Sequence, residues 1–313
     1  MVIGLIALAT SAVAVEGLLS PIERRPLPAA DAPRLALASP LPLPSGAVRV
    51  LAAGDIGRCG SAGAAATGAL LDAMPDATVI ALGDLAYDSG SPEEYARCYL
   101  PVWGGARDRT IPVAGNHDHR TRDALGFRET FGAAAGDPAA PWHATEVGAW
   151  RIYVLDTACE VVGGCGEGSP QLAWLREDLA AHPTACILAA WHRPRYSSGP
   201  HGSQSDVAPI WAALQAAGAD IVLTGHDHLY ERFAPMDASG RPADDGIRSF
   251  VVGTGGAQLY AAGAPVTGSE ALADRTFGAL ELVLRPDGYD WRFDAVLGEP
   301  VEDGGTGTCV SAA

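Results

Sequence analysis

A chain of 313 residues, 48% of them apolar, is long enough to bury a full core and reads as globular. Its 37 acidic against 21 basic side chains leave a formal charge of −16. Such a surface repels phosphate backbones and anionic membranes, which excludes nucleic-acid binding through a basic face, and it admits an anionic substrate only where a local positive centre overrides it.

The opening "MVIGLIALATSAVAV" is apolar and ends in Ala12-Val13-Ala14, a small-x-small pattern suited to signal-peptide cleavage. The run is short for a membrane span and lacks a leading lysine or arginine, so residues 1–19 are read as a signal peptide or an N-terminal anchor. A secreted or extracytoplasmic location follows, with no stable membrane partner unless this segment stays uncleaved. Residues 20–46 are proline-rich and read as an extended leader or linker, and residues 47–313 as one domain.

From residue 47 short apolar runs alternate with helical patterns. "AVRVLAAGD" predicts a strand, "SAGAAATGALLDAM" a helix, "ATVIALGD" a strand, "SPEEYARCYLPVW" a helix and "TIPVAGN" a strand. "WHATEVGAWRIYVLDT" predicts a hairpin or two adjacent strands. "SPQLAWLREDLAAH" is a helix capped by Ser169, "TACILAAWH" a strand, "SDVAPIWAALQAAG" a helix and "ADIVLTGHDH" a strand. Beyond residue 245 come only strands: "RSFVVGTGG", "FGALELVLR" and "YDWRFDAVL". This order predicts an α/β fold, a four-layer α/β/β/α sandwich of two mixed sheets flanked by helices.

Six cysteines, an even count, suit an oxidising compartment, and the chain has no CxxC spacing that would favour thiolate metal ligands. Cys159 and Cys165 flank the Gly-rich loop "CEVVGGC", Cys59 and Cys98 each follow a candidate site segment, and Cys186 and Cys309 remain. The expected bridges are Cys59–Cys98, Cys159–Cys165 and Cys186–Cys309.

Five predicted strands end in polar residues: Asp55 in "AAGDIG", Asp84 in "ALGDLAYDSG", Asn116-His117 in "VAGNHDH", His192 in "AAWHRPRYSSGPHG", and His226 and His228 in "LTGHDH". Open α/β sheets bind ligands outside the carboxyl ends of their strands, so these donors converge on one place. Glycine precedes the polar residue in four of the five, which is read as letting the chain turn sharply and bring the side chain close in. Hard oxygen donors with a phenolate suit trivalent iron, and imidazole with amide suits Fe(II), Zn or Mn.

The ordered set "GDIG", "GDLAY", "GNHD", "WHRP" and "GHDH" resembles the calcineurin-like metallophosphoesterases, and Tyr87 three residues after Asp84 resembles the purple acid phosphatase branch. The resemblance implies a dinuclear metal site at the strand ends. One metal would take Asp55, Asp84, Tyr87 and His228, and the other Asp84, Asn116, His192 and His226, with Asp84 bridging. The implied cofactors are Fe(III) plus a divalent Fe, Zn or Mn. The implied reaction is hydrolysis of a small-molecule phosphate monoester by a metal-bound hydroxide in line with the leaving alcohol. His117 and His201 are the expected catalytic histidines outside the metal sphere. Asp118 is read as orienting His117 or as an exposed turn residue. Arg193 and Arg195 are read as substrate contacts or surface residues, and His119, His143 and His182 as structural. A phosphodiesterase with the same metals, or a non-catalytic metal- or phosphate-binding module, are the alternatives; loops 88–109 and 119–142 would decide between the two esterases.

Overall fold

The computed structural model describes residues 33–310. The expected signal peptide or anchor and the first part of the leader lie outside the described residues. In chain order the strands are β1 (Val48–Ala53), β2 (Thr78–Leu82), β3 (Thr110–Val113), β4 (His143–Val147), β5 (Trp150–Val154), β6 (Ile187–Ala190) and β7 (Ile221–Thr224). They continue as β8 (Tyr230–Phe233), β9 (Arg248–Val252), β10 (Ser269–Ala273), β11 (Thr276–Arg285), β12 (Gly288–Gly298) and β13 (Gly304–Thr308).

Two mixed sheets result. The first has the order β13-β12-β11-β1-β2-β3, with β1, β2 and β3 parallel and the later strands antiparallel. The second has the order β10-β8-β9-β7-β6-β5-β4, with β5, β6, β7 and β9 parallel. β4 and β5 form the expected hairpin.

The period-2 alternation of strands separates the layers. In β6, Leu188 and Ala190 join the core shared with the first sheet, whereas Ile187 and Ala189 face the other way, into a core built with helix Pro170–Ala181 and helix Ala208–Ala216. In β7, Ile221 and Leu223 lie in the shared core and Val222 in the outer one. Helix Ala62–Ala73 and the helical segment 92–103 pack with the first sheet through Leu70, Leu71, Tyr99 and Trp103. Both long helices begin as their sequences predict: Ser61 accepts from the Ala64 N–H, and Ser169 accepts from the Leu172 N–H with Pro170 next in the chain. The result is the expected four-layer α/β/β/α sandwich.

Residues 34–41, read from the sequence as leader, run along this sandwich. The Leu35 N–H donates to the Val296 carbonyl at 3.0 Å, and the Leu41 N–H donates to the fully buried Glu281 carboxylate at 2.9 Å. Arg49 and Arg292 also donate to Glu281, each at 2.8 Å, so its charge is paired inside the core. Three strands escaped sequence reading. β8 and β10 are short and β13, "GGTGT", has no apolar residue; all three lack a long apolar run. Among the described residues no helix is long and apolar enough to cross a membrane.

All three expected disulfides are present, with Cα separations of 4.3 Å for Cys59–Cys98 and 5.2 Å for both Cys159–Cys165 and Cys186–Cys309. The last joins residues 123 apart in sequence. A native bridge closing so long a loop typically contributes about 2–5 kcal/mol, largely by restricting the unfolded chain. Replacing Cys186 and Cys309 together by alanine is therefore expected to lower the unfolding free energy by that amount in urea titrations; an unchanged midpoint would contradict it.

Candidate metal centre

The two sheets meet through main-chain contacts at the edge where the donor-bearing strands end. The Gly54 N–H, just past β1, donates to the Val252 carbonyl at the end of β9 at 2.8 Å, and the Gly255 N–H, past β9, donates to the Gly54 carbonyl at 2.9 Å. Asp55, Asp84 and His192 each lie two residues past a strand, Asn116 three, and His226 two. The first sheet thus presents Asp55, Asp84 and Asn116, and the second presents His192, His226 and His228, across one seam.

The turns that do this bend at the donor residues themselves. Asp55, Asp84 and His226 hold φ of 59°, 53° and 72°, in the left-handed region that most side chains avoid. Among the preceding glycines, Gly83 also needs a positive φ, at 85°, whereas Gly115 is required by proximity: a Cβ there would overlap the Asp84 backbone nitrogen. The left-handed His226 breaks the strand, so His226 and His228 are not held to the alternation of a continuing ladder.

The side chains then gather into two adjoining groups. In the first, the Tyr87 hydroxyl lies 2.8 Å from Asp55 Oδ1, 3.3 Å from Asp84 Oδ2 and 3.1 Å from His228 Nε2, with His228 Nε2 3.2 Å from Asp55 Oδ1. In the second, His192 Nε2 lies 3.3 Å from Asp84 Oδ2 and 3.2 Å from His226 Nδ1. Asp84 Oδ2 belongs to both. His192 and His228 each give their Nδ1 hydrogen to a backbone carbonyl, Leu82 at 2.8 Å and Gln258 at 2.6 Å, which turns Nε2 toward the carboxylates. Tyr260 stacks on the His228 ring at 4.0 Å and holds its plane.

The electrostatics of this group call for a cation. Burial pushes Tyr87 well above the usual phenol range, and the Asp55 and Asp84 carboxylates add to that. Burial also works to raise Asp84, yet the neighbouring His192 and His117 outweigh it and hold Asp84 well below the usual carboxylate range. Burial opposes charge on His192, but Asp84 overrides it and lifts the ring to about 9. His226 is driven down to about 2 by burial and then by the His192 charge. Asn116 Oδ1 is buried, and among the described residues no donor reaches it. An orphaned amide oxygen, two carboxylates, a phenol and three imidazoles within reach of one another fit a pair of metal ions.

The two expected catalytic histidines flank this group. His117 donates its main-chain N–H to Asp84 Oδ1 at 2.7 Å and its Nδ1 hydrogen to the Asp88 carbonyl at 2.6 Å, leaving Nε2 3.9 Å from Asp84 Oδ2. His201 stacks on His226 with ring centres 4.4 Å apart, and its main-chain N–H donates to Asp227 Oδ1 at 3.0 Å. Both line a cleft of about 240 Å³ with Asp84, Tyr87, Asn116, His226 and His228.

Several expectations need correction. Asp118 neither orients His117 nor lies exposed. It is fully buried and accepts from the Leu85 N–H at 3.2 Å, the Gly115 N–H at 2.8 Å and the Tyr95 hydroxyl at 2.7 Å, clamping the two loops that carry Asp84 and Asn116. Arg193 pairs with Glu160 through both terminal nitrogens, at 3.0 and 2.8 Å, and Arg195 lies over the Tyr196 ring at 4.8 Å; neither lines the cleft. The cations that do line it are Arg58 and Arg120. His119 Nε2 donates to Asp156 Oδ2 at 2.7 Å and His182 meets Asp178 at a helix end, both as structural contacts, and His143 is a β4 residue with no part in the cleft lining.

Sequence reasoning also missed Asp227 and Glu231. Asp227 accepts from the Ser197 hydroxyl and the His201 N–H, and Glu231 from the Ser198 N–H and hydroxyl, so two buried carboxylates hold the loop that carries His201. Their place within "GHDHLYER" was the only signal.

A family model described as calcineurin-like phosphoesterase matches residues 48–230. Rat tartrate-resistant acid phosphatase type 5 is 26% identical over 177 residues, which cover 48% of this chain and 54% of that protein. The chain thus spans about half the length of this curated relative. Among solved structures, purple acid phosphatase PPD1 from yellow lupin superposes with a TM-score of 0.71 at 21% identity, covering 86% of this chain and 55% of that one. GAP50, described as the anchor in the inner membrane complex of Plasmodium, superposes with a TM-score of 0.62 at 15% identity, over 82% of this chain and 90% of its own. At these identities the structural likeness concerns the fold.

Removing the Asp118 carboxylate tests the clamp. Asp118→Ala leaves two N–H groups and a hydroxyl without their acceptor, and each buried orphan costs about 1–3 kcal/mol. The variant is expected to lose about 3 kcal/mol or more in denaturant titrations, and Tyr95→Phe about 1 kcal/mol. Equal small losses in both would refute the clamp.

Proposed function

Because the chain belongs to the calcineurin-like phosphoesterase family, we propose that its strand-end cluster holds two metal ions and hydrolyses phosphate monoesters in the manner of a purple acid phosphatase. The observation that carries this reading is the shared position of Asp84 Oδ2 between the Tyr87 hydroxyl and His192 Nε2. Asp55, Asp84, Tyr87 and His228 would hold one ion, and Asp84, Asn116, His192 and His226 the other. A phenol beside two carboxylates suits Fe(III), with a divalent Fe, Zn or Mn at the imidazole-rich position. Three disulfides support an exported protein.

Bound there, the ions would neutralise the carboxylates, clamp the phosphoryl group and supply a hydroxide nucleophile near neutral pH. The chain's own groups do the rest. His117, with Nδ1 tied to the Asp88 carbonyl, offers Nε2 to the cleft, where it delivers a proton to the departing alcohol oxygen. His201, braced by His226 and Asp227, donates to a non-bridging phosphate oxygen. The local positive charge that results explains how a protein of net charge −16 accepts an anionic ester. The second reading is a binding module, since the same fold occurs in GAP50, described as an anchor, but every expected donor residue is present here.

The direct test compares p-nitrophenyl phosphate with bis(p-nitrophenyl) phosphate on metal-loaded protein. We expect kcat/KM to favour the monoester by about tenfold or more; the reverse order identifies a phosphodiesterase, and turnover of neither supports the binding module. Asp84→Asn is expected to lose bound metal and at least about 100-fold in activity, since it strips the shared ligand. Full metal content with near-normal turnover would overturn the bridge.

Tyr87 separates this branch from other two-metal phosphoesterases. Iron-loaded protein is expected to be coloured by charge transfer from the phenolate, and Tyr87→Phe to bleach while keeping more activity than Asp84→Asn. An unchanged visible spectrum in Tyr87→Phe would remove Tyr87 from the metal sphere.

A further inference from the structure

The chain has no lysine, and most of its described arginines are spent on carboxylates. Two enter the cleft beside the donor cluster, Arg58 and Arg120. Arg58 extends over the Tyr87 ring, its guanidinium carbon 5.5 Å from the ring centre, and pairs with Asp88 at 2.8 Å on the rim. Its Nε is buried and has no acceptor among the described residues. Arg120 differs from its paired counterparts. It donates to the Asp88 carbonyl at 3.1 Å, and among the described residues no carboxylate lies within ion-pair distance of it.

The position of Arg120 follows from that carbonyl. The same Asp88 oxygen accepts the His117 Nδ1 hydrogen, so the imidazole and the guanidinium stand side by side on one wall. His117 is the group that meets the departing oxygen in the proposed reaction. Arg120 therefore borders the leaving group, whereas His201, stacked on His226, is the group assigned to the transferred phosphoryl in the proposed reaction. A neutral alcohol has no use for a guanidinium there. A planar fork with free donors matches a second carboxylate or phosphate two-point fashion, and it keeps its charge at any working pH.

Resting on the proposed function of this cleft, we propose that Arg120, with Arg58 beside it, selects phosphate monoesters whose leaving group carries its own anionic group. Arg120 makes the larger contribution, because Arg58 is already engaged by Asp88. Asp88, on the exposed rim, repels a second anion that approaches from its own side and so directs it to Arg120.

Two pairs of probes test this. 3-Carboxyphenyl phosphate and 3-carbamoylphenyl phosphate have nearly the same shape and differ in charge. The metal-loaded protein is expected to prefer the carboxy ester about tenfold in kcat/KM, and Arg120→Gln to bring that ratio to about one or two; Arg58→Gln lowers it less. The corresponding phosphonates, which cannot be hydrolysed, are compared by calorimetry and are expected to show the same preference and the same collapse. A ratio near one in the unaltered protein, or one that survives Arg120→Gln, overturns the inference even if both esters turn over. If neither ester turns over but the phosphonates still show an Arg120-dependent preference, the phosphatase reading fails and the anion selectivity stands.

Discussion

Asp55 and Asp84 are buried, and both approach the hydroxyl of Tyr87, so two carboxylates converge on one phenol where almost no water reaches. Removing a carboxylate from water costs several kcal/mol even after relaxation, and placing a second one beside it costs more. Little else about the edge of the sandwich makes sense apart from that constraint. Three left-handed residues, a close-packed glycine and two sheets brought together main chain to main chain all serve to assemble anionic and neutral donors that would otherwise stay apart. Strain of this kind persists only where the surroundings over-determine it.

Behind the donors stands a second tier of buried acids with a different task. Asp118 fastens the loops after β2 and β3, and Asp227 and Glu231 fasten the loop after β6. In each case a carboxylate accepts main-chain N–H groups that a loop would otherwise leave to water. The acidity of the chain is thus partly internal: some of its carboxylates are splints. An aspartate serves here where an asparagine would not, since only a carboxylate offers acceptors on both oxygens.

What could be read in advance was what repeats locally. Strands β1, β2, β6 and β7 announce themselves by apolar runs that stop at a polar residue, and the donors were visible as those stops. β13 was not, because glycine and threonine on an edge carry no burial pattern. The splints were hidden for another reason: an acceptor for distant N–H groups has no sequence period, and Asp118 looks like any turn aspartate until Leu85 is placed beside it. Arg193 and Arg195 stayed open between substrate contact and surface residue, because proximity in sequence to His192 does not decide proximity in space. Arg193 turns to Glu160, while Arg58 and Arg120, each three residues past a site residue in the loops of Asp55 and His117, reach the cleft. The glycines before the donors account for only part of these turns, since the bend falls on Asp55, Asp84 and His226 themselves.

The disulfide Cys59–Cys98 lies directly behind Arg58 and bolts the turn after β1 to the helical segment 92–103. The facing wall has no such bolt. The loop of His201 is secured by hydrogen bonds to Asp227 and Glu231, and the strip that carries Tyr260 leans on it through the Gly263 N–H to the Ser198 carbonyl and the Val266 N–H to the Ser198 hydroxyl. Covalent bonds do not open thermally, and hydrogen bonds to loops do. The cleft thus has the wall beside Arg58 fastened covalently and the His201 and Tyr260 side fastened by hydrogen bonds, so local opening is expected to start on the latter.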